Sequence, residues 1–366
     1  MMFRAKLLKP HRWLGLGFAV LLFMQGCTGM VVAFRDELND ALHRSALTVI
    51  PMGAMRTVQS LAEMVRARHP QLDIERIEYP QHTDGALVFR MQAVGGGQLR
   101  YIAVDPYSGI VTRDKPVSGW PVEWLYRLHQ QLAAGDTGHI VIGIEAVALL
   151  FFVITGPWMW WPGRRNLRRG LTVSFSHGPQ RSVRELHRAG GAIAAVVLFF
   201  TSLTGIALVW PNPVRKTVGT FSSVVIKTAP AVAERAGVPF LPVDQLVARA
   251  REQFGDAHLK SVRFPGGHGR VVAAYFVGTN PRPRATDQIH MNAYTGETLA
   301  IYDATRVPAA SRALDWALPI HTGEFLGFPG RIVFVLAAIA LQMLTLTGVW
   351  QWWQRRQRRR AGMTAR

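Results

Sequence analysis

The sequence predicts a membrane α-helical protein: four transmembrane helices built as tandem parallel two-helix repeats, carrying two periplasmic α+β modules. Three observations lead there. Four windows, residues 13–34, 140–161, 189–210 and 332–353, are each long and apolar enough to cross a hydrocarbon core of about 30 Å, and Glu145 is the only acidic or basic side chain in any of them. The charges outside the windows are sorted segment by segment. A series of residue correspondences repeats between the two halves of the chain.

Composition agrees with the first observation. Of 366 residues, 49% are AVILMFWYC and only 18% are charged, the balance of a membrane protein rather than of two soluble domains. Tryptophans 13, 158, 160, 161, 210, 350, 352 and 353 stand at the window ends, where amphipathic rings favour the headgroup layer. The single cysteine, Cys27, excludes an internal disulfide framework, a Cys-ligated iron–sulfur cluster and a CxxCH haem attachment within the chain. Residues 23–27 (FMQGC) faintly resemble a lipoprotein cleavage site, but apolar sequence continues to Phe34, so the first span is expected to stay.

Charge orients the elements. Segments 1–12, 162–188 and 354–366 carry 17 Lys/Arg against one acid, Glu185, whereas 35–138 and 211–329 carry 24 against 21. By the positive-inside rule the first set is cytoplasmic and both long segments are periplasmic. The formal charge of +19 is therefore mostly a topology signal, and a nucleic-acid partner is excluded because no separate basic domain exists. The expected order is tail and first span (1–34), first periplasmic module (35–138), second span (139–161), cytoplasmic loop (162–188), third span (189–210), second periplasmic module (211–329), fourth span (330–353) and basic tail (354–366).

The halves repeat. His11 and His187 lie 176 apart, as do Thr28-Gly29 and Thr204-Gly205. At an offset of 192, His129 answers His321, Gly138 answers Gly330, Thr155-Gly156 answers Thr347-Gly348, and Trp160-Trp161 answers Trp352-Trp353. Two spans per unit return each copy to the same side, so the repeats are parallel and related by a pseudo-two-fold axis along the membrane normal.

Each module reads as a helix followed by strands. Residues 57–68 and 243–254 have helical apolar spacing; 74–79, 86–94, 98–104, 260–264, 271–278 and 287–291 read as strands. Gly109 and Gly296 close turns, and 214–236 and 279–286 read as loops.

Histidines carry the candidate chemistry. Seven of the twelve, at 43, 69, 82, 177, 258, 268 and 290, have no repeat partner and are expected to be ordinary solvated side chains. His11 with His187, and His129 with His321, form two repeat-related pairs at span ends, one cytoplasmic and one periplasmic. Two imidazoles facing each other at one depth are what a planar b-type haem takes as axial ligands. Headgroup contact or helix capping explains a boundary histidine equally well, so spacing alone leaves both readings open. Placing His129 near its span requires a bend, expected at Gly135, Asp136 and Gly138, with 125–134 along the surface. Glu145 is read as an internal hydrogen-bonding group, or else as a proton-coupled group or a neighbour of a haem propionate.

His11-Arg-Trp-Leu-Gly15, Leu128-His129, Thr155-Gly-Pro-Trp-Met-Trp-Trp-Pro162 and Glu185-Leu-His187 resemble the PepSY-associated transmembrane family over residues 3 to 357. The resemblance implies that the outer modules are PepSY-like and that the chain is similar to diheme inner-membrane ferric-siderophore reductases of bacteria. It then implies two haem b groups, with His11, His187, His129 and His321 as ligands to the haem iron. His139 is the alternative to His129, and Arg331, which stands where the first repeat has His139, is a possible haem propionate contact. The implied activity is an oxidoreductase one: ferric-chelate reduction linked to iron uptake, fed by a cytoplasmic or quinol donor. No catalytic residue is expected, in keeping with the lack of a Ser/His/Asp or Cys/His arrangement. A haem-free envelope sensor and a small transporter are the alternatives.

Overall fold

The computed structural model describes residues 2–93, 97, 99–176, 178–225, 227, 231–264, 270–278, 280 and 282–364. His177, His268 and the ends Val94 and Gln98 of two expected strands lie outside the described residues. In chain order the first half runs α1 (Met2–Gly17), α2 (Ala19–Val32), α3 (Arg35–Leu47), α4 (Val58–Arg68), β1 (Asp73–Glu78), β2 (Leu87–Gln92), β3 (Arg100–Val104), β4 (Val111–Pro116), α5 (Pro121–Gln131), α6 (Gly135–Trp160) and α7 (Leu167–Leu171). The second half runs α8 (Pro179–Val209), α9 (Pro211–Gly219), α10 (Val243–Phe254), β5 (His258–Arg263), β6 (Val271–Val277), β7 (Asp287–Asn292), β8 (Thr298–Tyr302), α11 (Ala309–Asp315), α12 (Ala317–Thr322) and α13 (Gly327–Thr364).

These elements form two compact units, a helical one (1–34, 125–214, 316–366) and a sheet-containing one (35–124, 215–315). In the helical unit, Gly135–Trp160, Pro179–Val209 and Glu324–Arg360 are long and apolar enough to cross a membrane. The expected first span is not one straight helix: it is bent by 63° between α1 and α2, at Phe18. Leu22, Leu149, Leu198 and Leu341 meet in the apolar centre, one each from α2, α6, α8 and α13. Leu22 and Leu198 are 176 apart, and Leu149 and Leu341 are 192 apart. The repeat offsets read from sequence therefore converge on one point of the core.

The turn before α6 departs from expectation. Leu132 (φ 53°), Ala133 (φ 54°) and Gly135 (φ 60°) are left-handed, a conformation that costs non-glycine residues roughly 1 kcal/mol or more each. The chain reverses there, ahead of Asp136 and Gly138. Gly138 instead permits a close backbone approach: a Cβ on it would overlap the Gln131 carbonyl, and one on Gly330 would overlap that of Gly323. In both repeats the end of the short helix, α5 or α12, thus comes close to the first turn of the following span.

In the second unit both modules contribute to a single antiparallel sheet of order β4-β3-β2-β1-β5-β6-β7-β8. β1 and β5 join the modules, with Arg76 opposite Arg263, Ile77 opposite Val262 and Glu78 opposite Ser261. Helices α4 and α10 cover one face, where Leu61, Val65, Ile77, Phe89 and Met91 in one cluster match Leu246, Ala250, Val262, Ala274 and Phe276 in the other. Strands β4 and β8 escape the sequence reading because they are edge strands: Val111–Pro116 carries Arg113, Asp114 and Lys115, and charge on an edge suppresses pairing with other chains. Residues 214–219, expected as loop, lie in α9 (Pro211–Gly219).

His43 is corrected from solvated to buried; its ring meets Trp120 edge-on at 4.5 Å. His69 is also engaged, with Nε2 2.8 Å from Asp114 Oδ2. Two buried carboxylates repeat at the offset of 192. Glu123 accepts from Arg35 (2.7 and 2.8 Å), Asn39 (2.7 Å) and Tyr101 (3.2 Å). Asp315 accepts from Arg215, Lys227 (2.9 Å) and Tyr302. Burial alone would raise both carboxyls, but Arg35 on Glu123 and Lys227 on Asp315 hold them below the usual carboxylate range.

The two modules also cap each other. Asp244 of α10 accepts from the Val58 and Gln59 backbone N–H groups at the start of α4 (3.0 and 2.8 Å), and Gln59 Oε1 accepts from Val243 N–H (2.9 Å). Replacing Asp244 by Ala should cost about 1–2 kcal/mol of stability, read as a lower melting temperature with an unchanged far-ultraviolet spectrum. An unchanged melting temperature would contradict the capping role.

Candidate functional site

Four Thr-Gly dipeptides organise the helical unit. Thr28-Gly29 sits on α2, Thr155-Gly156 on α6, Thr204-Gly205 on α8 and Thr347-Gly348 on α13. Each threonine lies against the Nδ1 of one histidine: Thr28 with His129 (2.9 Å), Thr155 with His11 (3.0 Å), Thr204 with His321 (3.2 Å) and Thr347 with His187 (2.9 Å). The glycine next to each threonine makes room for the same ring. A Cβ built on Gly29, Gly156, Gly205 or Gly348 would stand 3.2, 3.7, 3.4 or 3.4 Å from the Cε1 of that histidine.

The hydroxyl proton fixes the imidazole tautomer. Every one of these threonines also reaches back to the carbonyl four residues earlier: Thr28 to Met24 (2.9 Å), Thr155 to Phe151 (2.7 Å), Thr204 to Phe200 (2.6 Å) and Thr347 to Met343 (2.6 Å). A hydroxyl has one proton, so both bonds form together only if it donates to the carbonyl and accepts from Nδ1–H. His321 adds a second constraint, since its Nδ1 lies 3.0 Å from the Thr201 carbonyl, which can only accept. In the neutral ring the proton is thereby held on Nδ1, and Nε2 keeps its lone pair. Among the described residues no hydrogen bond occupies that nitrogen in any of the four rings.

The expected pairs come together. His129 and His321 face each other with ring centroids 6.3 Å apart and planes at 60°. Two imidazoles on opposite sides of one metal ion, each bound at about 2 Å, have centroids about 6 Å apart. His129 is further held by Gln25 Nε2, which donates to its carbonyl (3.0 Å). At the other end His11 and His187 line one cavity of about 510 Å³ together with Arg12, Arg188, Gly156, Gly348, Phe152 and Leu198. His11 packs edge-on against Phe152 at 5.1 Å.

The cavity at His11 and His187 fits a haem, and the ring spacing at His129 and His321 suits two imidazoles on one iron. The donor set is two neutral imidazoles with free Nε2 atoms, and glycines stand beside the rings where a larger residue would intrude. Arg12 and Arg188, each directly after a cavity histidine, both bury an Nε that has no hydrogen-bond partner; such a donor is costly to leave unmade, and the carboxylates of a haem would satisfy it. Among the described residues no three His, Cys, Asp or Glu side chains converge as for a bare metal ion.

The remaining candidates lie elsewhere. His139 points both ring nitrogens at backbone carbonyls, Gln130 (3.3 Å) and Val209 (2.9 Å), and so ties the start of α6 to the end of α8. Arg331 lies over the Phe34 ring and 3.7 Å from Glu324. Glu145 is 3% exposed, and its Oε2 has no partner. Sequence reasoning marks the four threonines as repeat positions but misses their contact with the histidines, and it misses the pair Arg12 and Arg188. The signals that could have found them are one dipeptide occurring at four repeat-related places and an arginine after each inner histidine.

The sequence pattern of the PepSY-associated TM region matches residues 8–355, taking in the four histidine-contacting Thr-Gly dipeptides and all four paired histidines. The chain belongs to this family. Among curated proteins none matches it. Were a haem held by His187 of this PepSY-associated chain, the isosteric change Thr347→Val would weaken its binding by about 10–100-fold, the usual effect of losing a ligand's own hydrogen-bond partner. Haem titration of the purified protein checks this, and equal affinity in the two proteins would contradict the role given to the hydroxyl.

Proposed function

We propose that the chain is an inner-membrane diheme b-type electron-transfer protein that reduces periplasmic Fe(III) chelates, such as ferric siderophores, to release Fe(II) for uptake. One observation carries the reading: two repeat-related imidazole pairs, each ring held by a threonine in the tautomer that leaves Nε2 free. In this reading α1 and α2 together make the first of four spans. The 17 Lys/Arg of the short segments keep both termini cytoplasmic.

Haem bound at each pair supplies one-electron chemistry. The protein's part is to hold and tune. His11 and His187 form the cytoplasmic site, with Arg12 and Arg188 neutralising carboxylates at its rim. His129 and His321 form the periplasmic site. Two sites at opposite ends of the same helices let the chain accept an electron from a cytoplasmic or quinol donor and present it to a substrate too bulky to enter the membrane. A chelate built of hard oxygen donors holds Fe(II) less tightly than Fe(III), so release follows reduction.

Ligand substitutions test this directly. His321→Ala should remove or convert one low-spin haem and leave the other intact, and His187→Ala should do the reverse. Both should abolish reduction of an external ferric chelate, while His139→Ala should keep the periplasmic haem. Loss of the same haem in the His321 and His187 variants would overturn the pairing, and a periplasmic site emptied by His139→Ala but filled in His129→Ala would overturn the ligand assignment.

A further inference from the structure

Glu145 is the one charged-type side chain in the interior of the spans. It is 3% exposed, its Oε2 is buried without a partner, and no hydrogen bond or ion pair reaches it among the described residues. The repeat gives it no counterpart: the position 192 later is Ala337, buried in the apolar centre of the same unit. One half of a symmetric bundle thus keeps a carboxyl where the other half keeps a methyl. Burying an unpaired carboxylate is costly, and such groups persist in membranes where a function needs them.

Its placement says which function. Ala146, the next residue, lies against the Cβ position of Gly205, and so does His321 Cε1, at 3.7 and 3.4 Å. Glu145 is therefore level with the periplasmic histidine pair. Thr155, which holds His11, is ten residues further along α6, about 15 Å. Of the neighbouring span windows only the first holds a titratable side chain, Cys27, and none holds Asp, Glu, Lys or Arg. Outside the windows the packed helices bring His11 with Arg12 and Glu185, His187 and Arg188 toward one end, His129, His321, Glu324 and Arg331 toward the other, and α6 itself carries Asp136 and His139. Among the described residues none of these cations forms an ion pair with Glu145. A positive charge that comes and goes is the remaining partner: Fe(III) in a dianionic macrocycle between two neutral imidazoles carries one net positive charge, and reduction removes it.

Resting on the diheme reading, we propose that Glu145 is the proton-accepting group of the periplasmic site. Its carboxylate balances the oxidised site, and it takes one proton from water as one electron arrives from the donor. The proton is returned when the electron leaves for the Fe(III) chelate. Charge in the apolar interior is thereby kept constant through the cycle.

The test is potentiometric titration of the purified haem-loaded protein between pH 6 and 9, followed by visible absorbance. The periplasmic haem potential should fall with rising pH, by up to about 59 mV per unit for one proton and one electron. In Glu145→Gln that potential should stay at the wild-type low-pH value throughout, and Glu145→Asp should retain a slope. A haem-containing Gln variant that keeps the wild-type slope, or a wild-type protein with no slope, overturns the role of Glu145 and leaves the diheme reading standing. A colourless wild-type protein overturns that reading, and this inference with it.

Discussion

The helical unit depends on a hydrogen bond between a threonine hydroxyl and an imidazole, made four times. A threonine inside a helix spends its proton on the carbonyl one turn back, which leaves its oxygen able only to accept. Against that oxygen a histidine must present Nδ1–H, so a neutral ring arrives with Nε2 unprotonated. In an apolar bundle few polar groups compete for the ring. The hydrogen bond is worth about 0.5–1.5 kcal/mol net, yet its consequence for ligand basicity and orientation exceeds its contribution to stability. The other local features serve the same contact: the glycine beside each threonine, the strained turn at Leu132 and Ala133 that brings His129 back to α2, and the Gln25 bond to its carbonyl.

Duplication turns one such arrangement into two sites. His129 is held by α2 and His11 by α6, both within the first repeat; His321 is held by α8 and His187 by α13, both within the second. Each pair is then assembled across the pseudo-two-fold axis, with one ring from each copy. The leucines at 22, 149, 198 and 341 fill the bundle between them. The sheet unit obeys the same logic, since its β1 and β5 meet at the junction of the two modules and Asp244 and Gln59 exchange caps across it. Where the copies differ, the difference is local: His139 against Arg331, and Glu145 against Ala337.

Much of this is legible in the sequence because periodicity and charge act over many residues. Apolar windows and loop charges mark the membrane helices, and the His and Thr-Gly offsets mark the repeat. What escapes is set by contacts distant in sequence. Thr347 lies 160 residues from His187, and nothing in one dimension says that the two meet. The bend at Phe18 lies within an apolar stretch without proline, so composition gives no break. The edge strands β4 and β8 carry too little apolar alternation to stand out. His43 resembles a loop histidine because Trp120, which buries it, is far along the chain.

The central claim is that four threonine-held histidines make two bis-imidazole haem sites in one chain. Haem quantitation on the purified protein, combined with electron paramagnetic resonance of its oxidised form, tests it most directly. The account predicts two acid-extractable b-type haems per chain, both low-spin with two imidazole ligands. A colourless protein from haem-replete cells, or a single haem per chain, would contradict it.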